Sequence, residues 1–116
     1  MNGIEWLVDV SGCPPAALQD REKIEALFET VVHEMQLNPI GRPVWHQFET
    51  TLGITGLWML RESHLAIHTF PEHGAACFNL FCCTHRPAMD WEPLFARHLE
   101  AEVIAVKEYE RAYAVV

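Results

Sequence analysis

Between Glu62 and Gly74 the chain alternates with a period of two: His64, Ala66, His68 and Phe70 share one parity, Leu65, Ile67 and Thr69 the other. A strand here aims two imidazoles at one face and the aliphatic residues at the opposite one, and Pro71 and Gly74 close it with a turn. The same patterning predicts strands over Ile4–Val10, ended by Cys13-Pro14-Pro15, over Pro43–Phe48 and over Ile54–Arg61. Ala75–Cys83 is an almost unbroken apolar run, with Asn79 its one clearly polar member, and reads as a central strand buried on both faces. Val103–Tyr109 makes the last strand. Two stretches switch to the helical period. Behind Asp20, a residue suited to an N-cap, Ile24, Leu27, Phe28, Val31, Val32 and Met35 form a stripe at i, i+3, i+4, i+7 spacing, with Glu22, Glu25, Glu29 and His33 on the wet side. Asn38-Pro39 and Gly41 break this helix. Behind Asp90, with Pro93 in the first turn, Trp91, Leu94, Phe95, His98 and Leu99 form the second stripe.

This order of elements predicts an α+β fold: a two-layer α/β sandwich, a mainly antiparallel sheet with helices on one face. The middle strands are apolar on both parities, with Ile54, Trp58 and Leu60 set against Leu57 and Met59. Two helices cannot cover both faces of such a sheet. A second copy, sheet against sheet, is the economical cover, and predicts an αββα homodimer or a larger even-numbered assembly. Trp6, Trp45 and Trp58 read as core. Residues 1–116 read as one domain, with no repeat, low-complexity stretch or linker.

Composition narrows the partners. No apolar run approaches the roughly 20 residues of a membrane span and no signal-like segment opens the chain, so a soluble, cytoplasmic protein is expected, without membrane contact. Four cysteines include the adjacent Cys82 and Cys83 and no C-x-x-C pair, which predicts reduced thiols. A metal site from Cys82, Cys83 and His85 is disfavoured because adjacent strand residues diverge, so no metal is expected. The formal charge of -8 argues against nucleic acid and, where it is more than a solvated surface, favours a cationic small molecule.

Glu62-Ser63-His64 places a hydroxyl directly after an acid at a strand start, which strand packing does not ask for. An isolated serine there would ordinarily bond the backbone. This one is accompanied by His68, Pro71-Glu72 and Gly74, by Thr55 upstream and by Phe81-Cys82-Cys83 downstream. The block resembles the S-adenosylmethionine decarboxylases of the short prokaryotic type. The resemblance extends from Gly3 and Leu7-Val8-Asp9 through Gly12-Cys13, His46-Gln47-Phe48 and Gly53-Ile54-Thr55-Gly56 to Glu110-Arg111.

The resemblance implies a proenzyme that cuts itself between Glu62 and Ser63 into a 1–62 beta chain and a 63–116 alpha chain. The Ser63 hydroxyl would attack the Glu62 carbonyl, turning amide into ester; elimination would release the N-terminal chain and leave dehydroalanine, which hydrolyses with loss of ammonia to a covalent pyruvoyl group. Only a residue with a β-oxygen leaving group can do this. Thr55, standing where the family usually has Ser, would assist the shift, and His68 would take the Ser63 α-proton. The pyruvoyl cofactor would hold the substrate amine as an imine (Schiff base) and accept electrons as the carboxylate leaves, with Cys83 as proton donor to the substrate carbon. Cys82 and Cys77 are read as inert buried thiols.

By the same likeness Glu72 is a ribose-hydroxyl acceptor and Phe48 an adenine-stacking ring. Glu5 is either a negative charge near the cationic centre or an exposed strand acid. Three departures touch substrate binding: Phe70 stands where Trp is common, the loop after Phe48 carries Glu49 and one extra residue, and Cys83 is followed by Thr84-His85 in place of Gly-Asp. The function implied is self-processing followed by decarboxylation of S-adenosylmethionine, supplying aminopropyl groups for polyamine (spermidine) synthesis. Two alternatives remain: a relative acting on arginine or ornithine, and an unprocessed regulatory homologue, against which the retention of Ser63, His68 and Cys83 speaks.

Overall fold

The structure, a computed structural model, describes residues 2–114. Alternating strands β1 (Asn2–Ser11), β2 (Val44–Gln47), β3 (Ile54–Met59), β4 (Ser63–Phe70), β5 (Ala75–Cys82) and β6 (Val103–Ala112) form one six-stranded sheet in the order β2-β3-β4-β5-β1-β6. Every neighbouring pair is antiparallel. Three helices, α1 (Pro15–Leu18), α2 (Arg21–Glu34) and α3 (Trp91–Leu99), pack on one face through Leu18, Ile24, Leu27, Phe28 and Phe95. The sequence predicts two of them. Pro14-Pro15 does end β1, but Pro15 then sits in the first turn of α1, where its missing N–H costs nothing.

The parity expected for β4 is realised: Leu65, Ile67 and Thr69 are buried under the helices, while His64, His68 and Phe70 are exposed on the other face. Phe28 anchors the core, its ring 4.9 Å from that of Trp45 and 6.4 Å from that of Phe78. A side chain of this size contributes about 1.5–3 kcal/mol by leaving water. Gly56 is required where it stands, because a Cβ there would overlap the Trp45 indole. The Asp20 side chain accepts from the N–H groups of Glu22 (3.1 Å) and Lys23 (3.4 Å), as an N-cap should. Asp90 occupies the N-cap position of α3, yet its side chain makes no capping bond.

The second face of the sheet is bare in a single chain. Leu57 and Met59 are 49% and 59% exposed, and Cys77 is exposed on β5. This corrects the expectation of a fifth strand buried on both faces: β5 is central in strand order, but helices cover only its Ala76, Phe78, Leu80 and Cys82 side. Among the described residues no helix is long and apolar enough to cross a membrane.

Candidate active site

Strand β4 carries chemistry at both ends. At its start the chain turns through Arg61 and Glu62, with the Leu60 N–H bonded to the Ser63 carbonyl (2.9 Å) and the Arg61 N–H to the Asn38 carbonyl (2.8 Å). The Glu62 carbonyl, on the bond expected to be cut, accepts the Cys83 N–H at 2.9 Å. Tyr113, just past β6, donates its hydroxyl to the Cys83 carbonyl. The Glu62 carboxylate accepts the Thr84 hydroxyl (3.1 Å) and pairs with the Arg86 guanidinium (3.4 Å). Ser63 has the helix-side parity of Leu65 and lies opposite Cys82 in the ladder. Burial pushes the Cys82 thiol up to about 11, outweighing the opposing effects of the neighbouring Ser63 hydroxyl and the Arg86 charge.

The other end is an open hollow. Thr55 and His68 are ladder partners, and the Thr55 hydroxyl lies 3.2 Å from His68 Nδ1. Both line a cavity of about 320 Å³ together with Phe48, Phe70 and Glu72, and with Thr51 and Thr69. The floor is rigid: the buried Thr69 hydroxyl donates to the Leu18 carbonyl and accepts the Ile54 N–H, each at 2.8 Å. Glu72 is held in a single 3-10 turn, Pro71–His73, closed by Gly74 at φ 61°, a left-handed conformation that glycine adopts freely. The Phe48 ring meets His46 edge-on at 4.7 Å.

Glu5 belongs to neither cluster. Its carboxylate accepts the Asn79 amide at 2.7 Å and pairs with Arg111, whose guanidinium also lies 5.9 Å from the Phe81 ring centre. It is half-buried and paired, not an exposed strand acid. Cys77, expected to be buried, is exposed between Asp9 and His68 in the ladder, because β5 turns that side to the bare face.

The sequence profile of S-adenosylmethionine decarboxylase matches residues 4–112. The chain belongs to that family. An S-adenosylmethionine decarboxylase proenzyme of Prochlorococcus marinus is 32% identical over 113 residues, covering 96% of this chain and 88% of the relative. One of Sulfurihydrogenibium is 36% identical over 81 residues, which is 70% of this chain and 59% of the relative's length. In three dimensions the chain resembles the crystal structure of the adenosylmethionine decarboxylase from Aquifex aeolicus, with a TM-score of 0.81 at 28% identity, covering 98% of this chain and 93% of that one.

In this family member the residues singled out from sequence fall into two groups. Ser63, Glu62 and Cys83 meet at one end of β4, and Thr55, His68, Phe48, Phe70 and Glu72 meet at the other. Five residue steps along the strand separate Ser63 from His68, roughly 17 Å at the rise of an extended chain. Within one chain His68 therefore cannot reach the Ser63 α-proton. Sequence reasoning did not place Cys82, Thr84, Arg86 and Tyr113 around the Glu62–Ser63 turn. Cys82 was findable: counting back pair by pair from Phe70 opposite Ala75 sets it opposite Ser63. Nothing in the sequence signalled that Thr84, Arg86 and Tyr113 converge on this turn.

Proposed function

We propose that this chain is a self-processing, pyruvoyl-dependent decarboxylase of S-adenosylmethionine, serving polyamine synthesis. The observation that carries the reading is the Glu62 carbonyl held on the Cys83 N–H next to Ser63. When the Ser63 hydroxyl adds to that carbonyl, negative charge collects on the oxygen, and an N–H already in place stabilises it without reorganisation. Collapse with departure of the Ser63 nitrogen leaves an ester. Removal of the Ser63 α-proton then expels the Glu62 carboxylate, and the two chains are residues 1–62 and 63–116.

Ser63 fits its assignment as pyruvoyl precursor, since it has the β-oxygen that must leave and a preceding carbonyl that is fixed. The pyruvoyl group supplies an electron sink for the departing carboxylate. Around it Cys83 would hold the proton returned to the substrate carbon, and Phe48 and Glu72 would take adenine and ribose, a stacking face and a hydroxyl acceptor in one cavity. A guanidinium or ammonium side chain needs a free carboxylate instead. Glu5 is already paired with Arg111 and Glu49 is not among the residues lining the cavity, so among the described residues Glu72 is the one carboxylate of the lining, and its place beside the Phe48 and Phe70 rings favours the nucleoside over arginine or ornithine.

Assembly follows from the separation of the two clusters. A two-fold axis between facing sheets, running across the strands, brings the His68 end of one chain over the Ser63 end of its partner and covers Leu57 and Met59 on both. His68, supported by Thr55, then acts as the base on the partner's Ser63. Light scattering should report a dimer or larger even assembly; a stable monomer at micromolar concentration would refute the shared site.

The chemistry is tested by denaturing mass spectrometry and by carbon dioxide release. Wild-type protein should yield a fragment ending at Glu62 and one beginning with pyruvoyl in place of Ser63, and should release carbon dioxide from S-adenosylmethionine but not from arginine or ornithine. Ser63→Ala should stay whole and inactive. A wild-type chain that remains intact on long incubation overturns the reading.

A further inference from the structure

Arg61 and Glu62 alone connect Leu60 to Ser63, and the backbone of this turn is tied by the Leu60 N–H to the Ser63 carbonyl, by the Arg61 N–H to the Asn38 carbonyl and by the Glu62 carbonyl to the Cys83 N–H. The Glu62 side chain is held twice. Thr84 donates its hydroxyl to the carboxylate at 3.1 Å, and Arg86 pairs with the same oxygen at 3.4 Å. Thr84 follows directly on Cys83, whose N–H binds the Glu62 carbonyl, and Arg86 stands two residues beyond Thr84. One segment thus grips one residue by its carbonyl and by its carboxylate, on the two sides of the same Cα. The Arg86 side chain is 19% exposed, so its charge is largely withdrawn from water. Its positive charge also acts to lower the Cys82 thiol, which lies opposite Ser63 in the ladder.

We propose that Thr84 and Arg86 form a clamp on the Glu62 carboxylate that positions the scissile carbonyl for self-cleavage. The inference rests on the self-processing reading above and adds two positioning residues to it. With the carboxylate pinned, rotation about the Glu62 Cα–C bond is restricted, and the carbonyl stays on the Cys83 N–H while Ser63 attacks. Orientation of this kind is where intramolecular reactions gain most of their rate. Neither residue touches the reacting atoms, so the clamp should change the rate of cutting and leave its site and products unchanged.

Full-length chains made by cell-free synthesis and quenched in acid at intervals allow the first-order cleavage rate to be read by denaturing mass spectrometry. Arg86→Ala should cut about tenfold more slowly, on the scale of one lost charge-assisted hydrogen bond, and Thr84→Val about threefold, on the scale of a neutral one. Arg86→Lys should recover most of the loss, and added methylguanidinium should accelerate Arg86→Ala. In a Glu62→Gln chain neither Arg86→Ala nor methylguanidinium should have much further effect, which a merely structural arginine would not reproduce. Each variant is also made with Ser63→Ala, so that thermal unfolding of uncut protein shows that the fold is kept. Wild-type cleavage rates in Arg86→Ala and Thr84→Val, or an Arg86→Ala loss that persists undiminished in Glu62→Gln, overturn the clamp. If the wild type itself is never cut at Glu62–Ser63, the self-processing reading fails instead, so the two failures are distinguishable.

Discussion

The two ends of β4 are built to opposite specifications. At the Ser63 end Glu62 is engaged within the chain at both of its acceptors: its carbonyl on Cys83 and its carboxylate on Thr84 and Arg86, with Ser63 set opposite the buried Cys82. At the His68 end Thr55 and His68 bond each other, Phe48 and Phe70 stand 49% and 39% exposed, and the cavity opens beside the bare apolar face. The difference is what the proposed chemistry asks of each end. A peptide bond that is to be broken from within has to be immobilised by its own chain, whereas a base and a stacking ring can be lent by a neighbour. One end is closed on its own chain; the other is open.

The largest effect that would break this contrast is a complementation. His68→Ala chains alone should cut about 10²- to 10⁴-fold more slowly, the usual share of a general base. Co-expressed with Ser63→Ala chains, they gain partners that still carry His68. Mass spectrometry should then find the His68→Ala chain cut and the Ser63→Ala chain whole. If both stay whole, His68 does not act across two chains and the open end is not a lent half-site.

A smaller effect tests the burial of Cys82 at the Ser63 end. The Cys82 thiol titrates at about 11 in the folded chain against an ordinary 9.0, so folding keeps it protonated where the unfolded chain would release the proton. Its contribution to stability is complete below about pH 9 and is lost as pH rises through about 11, a fall of about 2–3 kcal/mol. Urea midpoints of wild type and Cys82→Ala, compared from about pH 8 upwards, should converge as alkalinity increases. A constant difference would mean that water reaches the thiol. The smallest effect sharpens the other side: Phe48→Ala should raise the KM for S-adenosylmethionine by the equivalent of about 1–3 kcal/mol, the worth of stacking a base, with cleavage at Glu62–Ser63 unaffected.

What could be read from residues alone was whatever depends on local period. The split of His64, His68 and Phe70 from Leu65 and Ile67, and the α2 stripe with its Asp20 cap, need no knowledge of neighbours. Register across strands is a different kind of information. Ser63 falls on Cys82 only once the Pro71–Gly74 connection is known to be four residues long, and the apolar run of β5 shows one wet side only once the layers are counted. Long-range convergence was beyond reach. Arg86, Thr84 and Tyr113 arrive at Glu62 from segments with no periodic pattern, and Glu5 finds Arg111 from the opposite end of the chain.

The strand order sets the molecularity of folding. A cut at Glu62–Ser63 assigns β1, β2 and β3 to one polypeptide and β4, β5 and β6 to the other, yet in the sheet β1 lies between β5 and β6 while β3 lies beside β4. The two products are interleaved and cannot part without dismantling the sheet. Before the cut, folding is a first-order event of one chain; afterwards it is second-order, set by the concentration of two fragments that must find each other's edges. The uncut chain thus serves as its own template. Once cleaved, a molecule that unfolds in dilute solution has no equally fast way back, so its working life is governed by how slowly the sheet opens rather than by an equilibrium.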